Sequence, residues 1–76
     1  MNNFEQDLLP SHRQKRILEI LREKKAVSVA YLSRTMYINE ATVRRDLNAL
    51  SKSGAVTRTY GGAVLNEGLD SEIPFF

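Results

Sequence analysis

The clearest pattern of apolar positions lies between Asn39 and Gly54. Val43, Leu47 and Leu50 recur there at i, i+4 and i+7, which places them on one stripe of an α-helix. The side chain of Asn39 can accept a hydrogen bond from the free N–H groups of a helix start. Gly54 suits the left-handed conformation that follows a helix. The segment is therefore predicted to form an amphipathic helix that starts after Asn39 and ends before Gly54.

Two shorter helical patterns precede this segment. A first helix is predicted from His12 to about Lys24, with an apolar stripe made of Ile17, Leu18, Ile20 and Leu21. Pro10-Ser11 is a helix-start signal in which either residue could be the cap, and the basic residues of this helix are expected on a solvated face. Ala30 to Met36 predicts a short second helix with Ser28 or Val29 near its cap. Tyr37-Ile38 then makes a tight connection to Asn39.

After Gly54 the pattern changes to period two. Val56, Arg58 and Tyr60 fall on one side of a predicted strand, and the residues between them fall on the other. Gly61-Gly62 predicts a tight hairpin because both positions tolerate a positive φ, and the next three residues form the partner strand. Val27 to Val29 is too short for an independent strand but can pair at a sheet edge.

These elements predict a mainly α domain with a small antiparallel sheet. The arrangement is that of a winged helix-turn-helix, with three helices plus a β-hairpin wing. The domain is assigned to residues 10–65, after a flexible leader at residues 1–9 and before a linker that starts at residue 66. A chain of 76 residues has room for one domain of this kind and a modest core.

Charge is distributed unevenly along the chain. The formal net charge is only +2, but all 11 basic residues and four of the nine acids lie between residues 10 and 65, so that segment carries 11 − 4 = +7. A basic centre with acidic flanks suits a polyanionic partner, and charge alone is equally consistent with a solvated surface. The chain has no cysteine and no apolar run near the ~20 residues that span a bilayer, so we expect a cytoplasmic protein without membrane association.

Catalysis and metal binding have little support in the sequence. His12 is the only histidine, no cysteine is present, and no zinc-type spacing exists. No residue is placed to orient His12 as the general base of a serine nucleophile. The spacing of the carboxylates indicates no general acid/base pair. Gly61-Gly62 does not precede a helix, as the glycines of a phosphate-binding loop would. We expect neither an enzyme nor a cofactor.

Nucleic-acid binding has a coherent physical case. The polar face of the third helix is small and cationic, and in a helix-turn-helix the early residues of this helix meet base edges while flanking donors hold phosphates. Arginine can bond guanine and asparagine can bond adenine through two hydrogen bonds each. The predicted DNA-binding residues are Asn39, Glu40, Ala41, Thr42, Arg44, Arg45, Asn48, Arg58, Tyr60 and Gly61.

Several of these roles stay open at the level of sequence. Thr42 can contact a phosphate or a thymine methyl group, and at least one of Arg44 and Arg45 should serve phosphate. Asp46 lies beside the apolar stripe and could pair with Arg58, which is otherwise a phosphate contact. The wing tip at Tyr60 can approach the DNA or be an ordinary packed hairpin. The alternative function is a winged-helix module that binds protein or RNA.

The residues from Thr42 to Val64, T-V-R-R-D-L-N-A-L-S-K-S-G-A-V-T-R-T-Y-G-G-A-V, resemble the signature of the DeoR/GlpR-type bacterial transcriptional regulators. That signature has T-I-R-R-D-L, a helix ending in glycine, then an arginine and H-G-G-A. The upstream segments I-L-E-I-L and V-S-V-x-x-L-S also match. Asn39 stands where the family usually has serine, and Tyr60 replaces the usual histidine.

The resemblance implies a winged helix-turn-helix domain that binds an operator in double-stranded DNA. In the family this domain precedes a larger domain that senses a sugar phosphate, and the full protein usually represses carbohydrate-metabolism genes. The tail from Glu72 to Phe75 resembles the segment that leads into the sensing domain. We therefore expect a full-length homo-oligomer, and a monomer or weak dimer for these residues alone.

Overall fold

A computed structural model of the chain describes residues 9–66. They form three helices and three strands in the order α1 (Pro10–Lys24), β1 (Ala26–Ser28), α2 (Val29–Met36), α3 (Glu40–Lys52), β2 (Val56–Thr59) and β3 (Gly62–Leu65). This confirms the predicted class, a mainly helical winged helix-turn-helix with a small antiparallel sheet. Apart from Leu9 and Asn66, the predicted leader and linker lie outside the described residues.

The helix starts follow the sequence signals in two of three cases. Asn39 caps α3 by accepting a hydrogen bond from the backbone N–H of Thr42 at 2.8 Å, as predicted. Ser28 caps α2 in the same way, so this helix begins one residue earlier than expected. The cap of α1 is Leu9, without a side-chain hydrogen bond, and Pro10 occupies the first helical turn. The prediction that Pro10 or Ser11 is the cap was wrong, because proline is suited to the first helical position itself.

The wing is part of a three-stranded antiparallel sheet with the order β1-β3-β2. β1 pairs along the edge of β3, which confirms the predicted edge pairing near Val27. Thr59 pairs with Gly62 across the hairpin, so the turn consists of Tyr60 and Gly61 rather than Gly61 and Gly62. Only Gly61 of this pair has a positive φ, at 78°.

Gly62 is required for a different reason. A Cβ atom at this position would clash with the carbonyl oxygen of Val27 and lie 2.9 Å from the Cα of Ser28. The absence of a side chain therefore permits the close approach of β1 to β3.

The core lies between the three helices and the inner side of the sheet. Ile17, Leu21, Leu32, Val43 and Leu47 are completely buried, and Val56 is nearly so. Ile38 packs against this cluster from the connection between α2 and α3, as predicted. The apolar stripe of α3 thus faces inward, which leaves its opposite side exposed.

Candidate nucleic-acid interface

The outward side of α3 is exposed along its length. Its exposed residues include Ala41, Arg44, Arg45, Asn48 and Lys52. Thr42 is half-buried beside them, with its backbone N–H used in the cap. The helix therefore presents small and cationic groups to solvent, while its position is fixed by the buried stripe on the other side.

The two adjacent arginines of α3 have different environments. Arg44 donates a hydrogen bond to Glu40 at 3.0 Å, one helical turn earlier, and both side chains are about half exposed. Within residues 9–66 the guanidinium of Arg45 makes no hydrogen bond or ion pair with another side chain. An exposed pair such as Glu40 and Arg44 contributes little to stability and separates easily. Of these two arginines, Arg45 is the one that a polyanion can meet without first displacing a side-chain partner within residues 9–66.

Arg58 on β2 is held beside α3. Its Nε donates to the carbonyl oxygen of Gly62 at 3.0 Å, and its Nη1 donates to Oδ1 of Asn48 at 2.5 Å. Of the two roles left open for Arg58, pairing with Asp46 does not occur. Arg58 reaches Asn48 on the exposed side of α3, whereas Asp46 faces the interior.

The partner of Asp46 is Arg13 of α1. Nε of Arg13 donates to Oδ2 of Asp46 at 2.6 Å, and Nη2 donates to Oδ1 at 3.0 Å, so the pair is bidentate. Both residues are buried, with 7% and 2% of their surface exposed. The hydrogen bond to Asp46 raises the pKa of Arg13, while burial acts in the opposite direction. This corrects the expectation of a solvated face for Arg13 alone, because the other basic residues of α1 are exposed as predicted: Lys15, Arg16, Arg22 and Lys24.

The Arg13–Asp46 pair positions the predicted interface without belonging to it. Its two hydrogen bonds fix the rotation of α3 about its own axis and the position of α3 along α1. The sequence offers no signal for this role, because an arginine near the start of an amphipathic helix has the same appearance whether it is solvated or buried.

Two tyrosines are highly exposed, one at the tip of the wing and one in the turn before α3. Tyr60 is fully exposed at the tip of the wing, next to Gly61. Tyr37 is 90% exposed in the turn between α2 and α3, where its φ of 59° lies in the left-handed region. Tyr37 was not among the predicted site residues, since side-chain type gives no indication that this turn exposes it.

Apart from the carboxylate of Glu40, which is paired with Arg44, the exposed groups of this surface include hydrogen-bond donors, cations and two phenol rings, which suit phosphates and base edges. Within residues 9–66, no cluster of three histidine, cysteine, aspartate or glutamate side chains could hold a metal ion. The described helices include none that is long and apolar enough to cross a membrane.

Comparison with known families gives a direct match. The model of the DeoR-like helix-turn-helix domain matches residues 13–68 of the chain. This range includes all three helices except the first three residues of α1, and all three strands. The match therefore covers the whole of the predicted interface.

Curated relatives match the same region. An uncharacterised HTH-type transcriptional regulator of Bacillus subtilis, YulB, is 38% identical over 90% of this chain and 26% of its own length. The transcriptional repressor AccR of Agrobacterium fabrum is 42% identical over 68% of this chain and 20% of its own. The L-fucose operon activator of Haemophilus influenzae is 38% identical over 79% of this chain and 24% of its own.

The chain thus spans about a quarter of the length of the curated relatives it matches. No solved structure gives a significant match to the chain.

Proposed function

The chain belongs to the family of DeoR-like helix-turn-helix domains, and from this membership we propose that it binds double-stranded DNA in a sequence-specific manner as part of a transcriptional regulator. The proposal involves no catalytic step. The observation that carries it is the exposed face of α3, which presents Arg45 without a competing partner among the described residues. A helix of this shape and charge fits the major groove.

The roles of the individual residues follow from their environments. Arg45 is proposed to read a base edge, since its guanidinium is exposed and donates to no side chain in the described part of the chain. Arg44 is proposed to contact a phosphate after it separates from Glu40. Thr42 and the cap at Asn39 lie at the N-terminal end of the helix, where backbone N–H groups favour an anion.

The wing is proposed to contact the backbone of the same duplex. Gly61 at its tip is exposed and would bring the chain close to phosphate, with Tyr60 beside it. Ala41 is small enough to let the helix approach the base pairs closely.

The regulatory proposal extends beyond these residues. We propose a cytoplasmic repressor of carbohydrate-metabolism genes, in which a further domain senses a sugar phosphate and carries most of the oligomer contacts. Its support is the greater length of the relatives and the resemblance of the chain to the DeoR/GlpR-type regulators. Repression requires only that the protein occupy its operator, which a DNA-binding domain can do by itself.

Selection of duplexes from a random pool tests the proposal. The chain is expected to enrich one short half-site, and the full-length regulator is expected to enrich a paired one. The affinity for the enriched duplex should fall steeply with salt, since phosphate contacts release counterions. Equal and weak binding to all duplexes, or preferential binding to a matched RNA, would contradict the proposal.

A further inference from the structure

The contact between the wing and α3 assigns different roles to Asn48 and Arg58. Asn48 is exposed on α3, and its Oδ1 accepts a hydrogen bond from Nη1 of Arg58 at 2.5 Å. Arg58 is half-buried and also bonds the carbonyl oxygen of Gly62 at 3.0 Å. The guanidinium is therefore held at two points, one on β3 and one on α3.

This contact uses the group that Asn48 would need to read adenine. An asparagine that recognises adenine accepts from the base with its Oδ1 and donates to the base with its Nδ2. In the structure Oδ1 already accepts from a charged donor, and such hydrogen bonds are stronger than those between neutral groups. Oδ1 keeps a second lone pair, but the bond to Arg58 holds the amide in one orientation, which restricts a contact with adenine through both atoms.

Arg58, in contrast, keeps part of its binding capacity. Two of its N–H groups are used in the bonds to Gly62 and Asn48, and the others have no partner among residues 9–66. A long flexible side chain that is already ordered loses less entropy when it binds a ligand. The two bonds therefore prepare the guanidinium for a contact next to the polar face of α3.

From these contacts we infer that Asn48 is a positioning residue, which holds Arg58 of the wing beside α3, and that Arg58 rather than Asn48 makes the DNA contact at this place. The inference rests on the proposed function. It joins the wing and α3 into one surface, since Asn48 lies one turn after Arg45 and Arg58 continues the cationic surface onto β2.

A double-mutant cycle tests the inference. Asn48→Ala, Arg58→Ala and the double variant are titrated against a duplex that the unaltered chain enriches from a random pool. Each single substitution should weaken binding by about 5- to 150-fold. The double variant should bind no more weakly than Arg58→Ala, because Asn48 acts through Arg58. Arg45→Ala is the matched control, and its effect should add to that of Asn48→Ala.

Additive losses for Asn48 and Arg58 would overturn the inference, as would a changed base preference in Asn48→Ala that persists without Arg58. Both outcomes would make Asn48 a direct base contact. Absence of any effect of Asn48→Ala would overturn it too.

A second measurement does not depend on DNA. In nitrogen-15 NMR spectra of the free chain, the Nη1–H groups of Arg58, which donate to Asn48, should become more mobile in Asn48→Ala, whereas Arg44→Ala should leave them unchanged. Unchanged Nη1–H signals in Asn48→Ala would show that Asn48 does not hold Arg58. Failure of the unaltered chain to bind any duplex would contradict the proposed function, while the NMR result would still decide the positioning role.

Discussion

At the scale of single residues, Asp46 connects α3 to α1 through the interior. Its carboxylate is almost completely buried, and both of its oxygens accept hydrogen bonds from Arg13. Oδ1 also lies 3.4 Å from Nε2 of Gln14, a longer contact of the same kind. Burial of two charges is costly, so this pair specifies the orientation of α3 more than it adds to total stability.

Removal of one partner of the Arg13–Asp46 pair should therefore destabilise the fold strongly. Asp46→Ala leaves the guanidinium of Arg13 buried without its carboxylate, and we expect a loss of about 3–5 kcal/mol in the free energy of unfolding. Urea unfolding followed by circular dichroism measures this loss. The double replacement Arg13→Met with Asp46→Leu should recover much of it, because no charge then remains buried. A loss in Asp46→Ala below about 1 kcal/mol, as is typical of exposed ion pairs, would contradict this account.

Replacement of Tyr37 should increase the free energy of unfolding, whereas replacement of Asp46 should decrease it. A non-glycine residue in the left-handed region costs about 1–2 kcal/mol, and Tyr37 is 90% exposed, so burial offsets little of this cost. Tyr37→Gly should raise the free energy of unfolding by about 1 kcal/mol. Thermal unfolding measures the change.

Tyr60→Gly is the matched control for Tyr37→Gly. Tyr60 is equally exposed but does not have a positive φ, so glycine should give no increase in stability there. Equal effects of the two substitutions would show that the left-handed conformation is not the cause.

At the scale of the elements, the wing contains two adjacent glycines, and each is required for a different structural reason. Gly61 has a positive φ and open space around it, whereas Gly62 lies against the backbone of β1. Gly61→Ala should cost about 1 kcal/mol, through conformation alone. Gly62→Ala must push β1 away from β3 and should cost more than twice as much.

Unfolding in urea together with hydrogen exchange at the backbone amides checks this difference. Gly62→Ala should also expose the amides that pair β1 with β3, and Gly61→Ala should leave them protected. A smaller loss for Gly62→Ala than for Gly61→Ala would contradict the close approach of the two strands.

The elements themselves were largely predictable from the sequence. The stripe of Val43, Leu47 and Leu50, the cap at Asn39 and the positive φ of Gly54 all occur as the local patterns indicated. These features depend on residues within a few positions of one another.

The contacts between elements were not predictable in the same way. The partners of Asp46 and Arg58 are 33 and 10 positions away, and their choice depends on how α3 lies against α1 and β2. Several cations were available for Asp46, and no local pattern distinguishes Arg13 among them. The role of Gly62 likewise required the register of β1, which a strand of three residues does not specify by itself.

At the scale of the whole molecule, the fold concentrates positive charge on the surface formed by α3 and the wing. The segment between residues 10 and 65 carries a formal +7, and the exposed face of α3 concentrates three of its cations, Arg44, Arg45 and Lys52. Arg58 continues this surface onto the wing. One domain of this size offers contacts to one half-site, so a second copy would be needed to contact a paired operator.

The proposed function places α3 in the major groove with Arg45 toward the bases. The most direct measurement is a titration of Arg45→Ala against the enriched duplex and against a random duplex, with Lys52→Ala at the far end of the same face as control. We predict a loss of about 1–3 kcal/mol in binding free energy for the enriched duplex and a smaller loss for the random one, so that discrimination falls. Lys52→Ala should weaken both duplexes slightly and to the same extent. Unchanged affinity of Arg45→Ala for both duplexes would contradict the placement of α3.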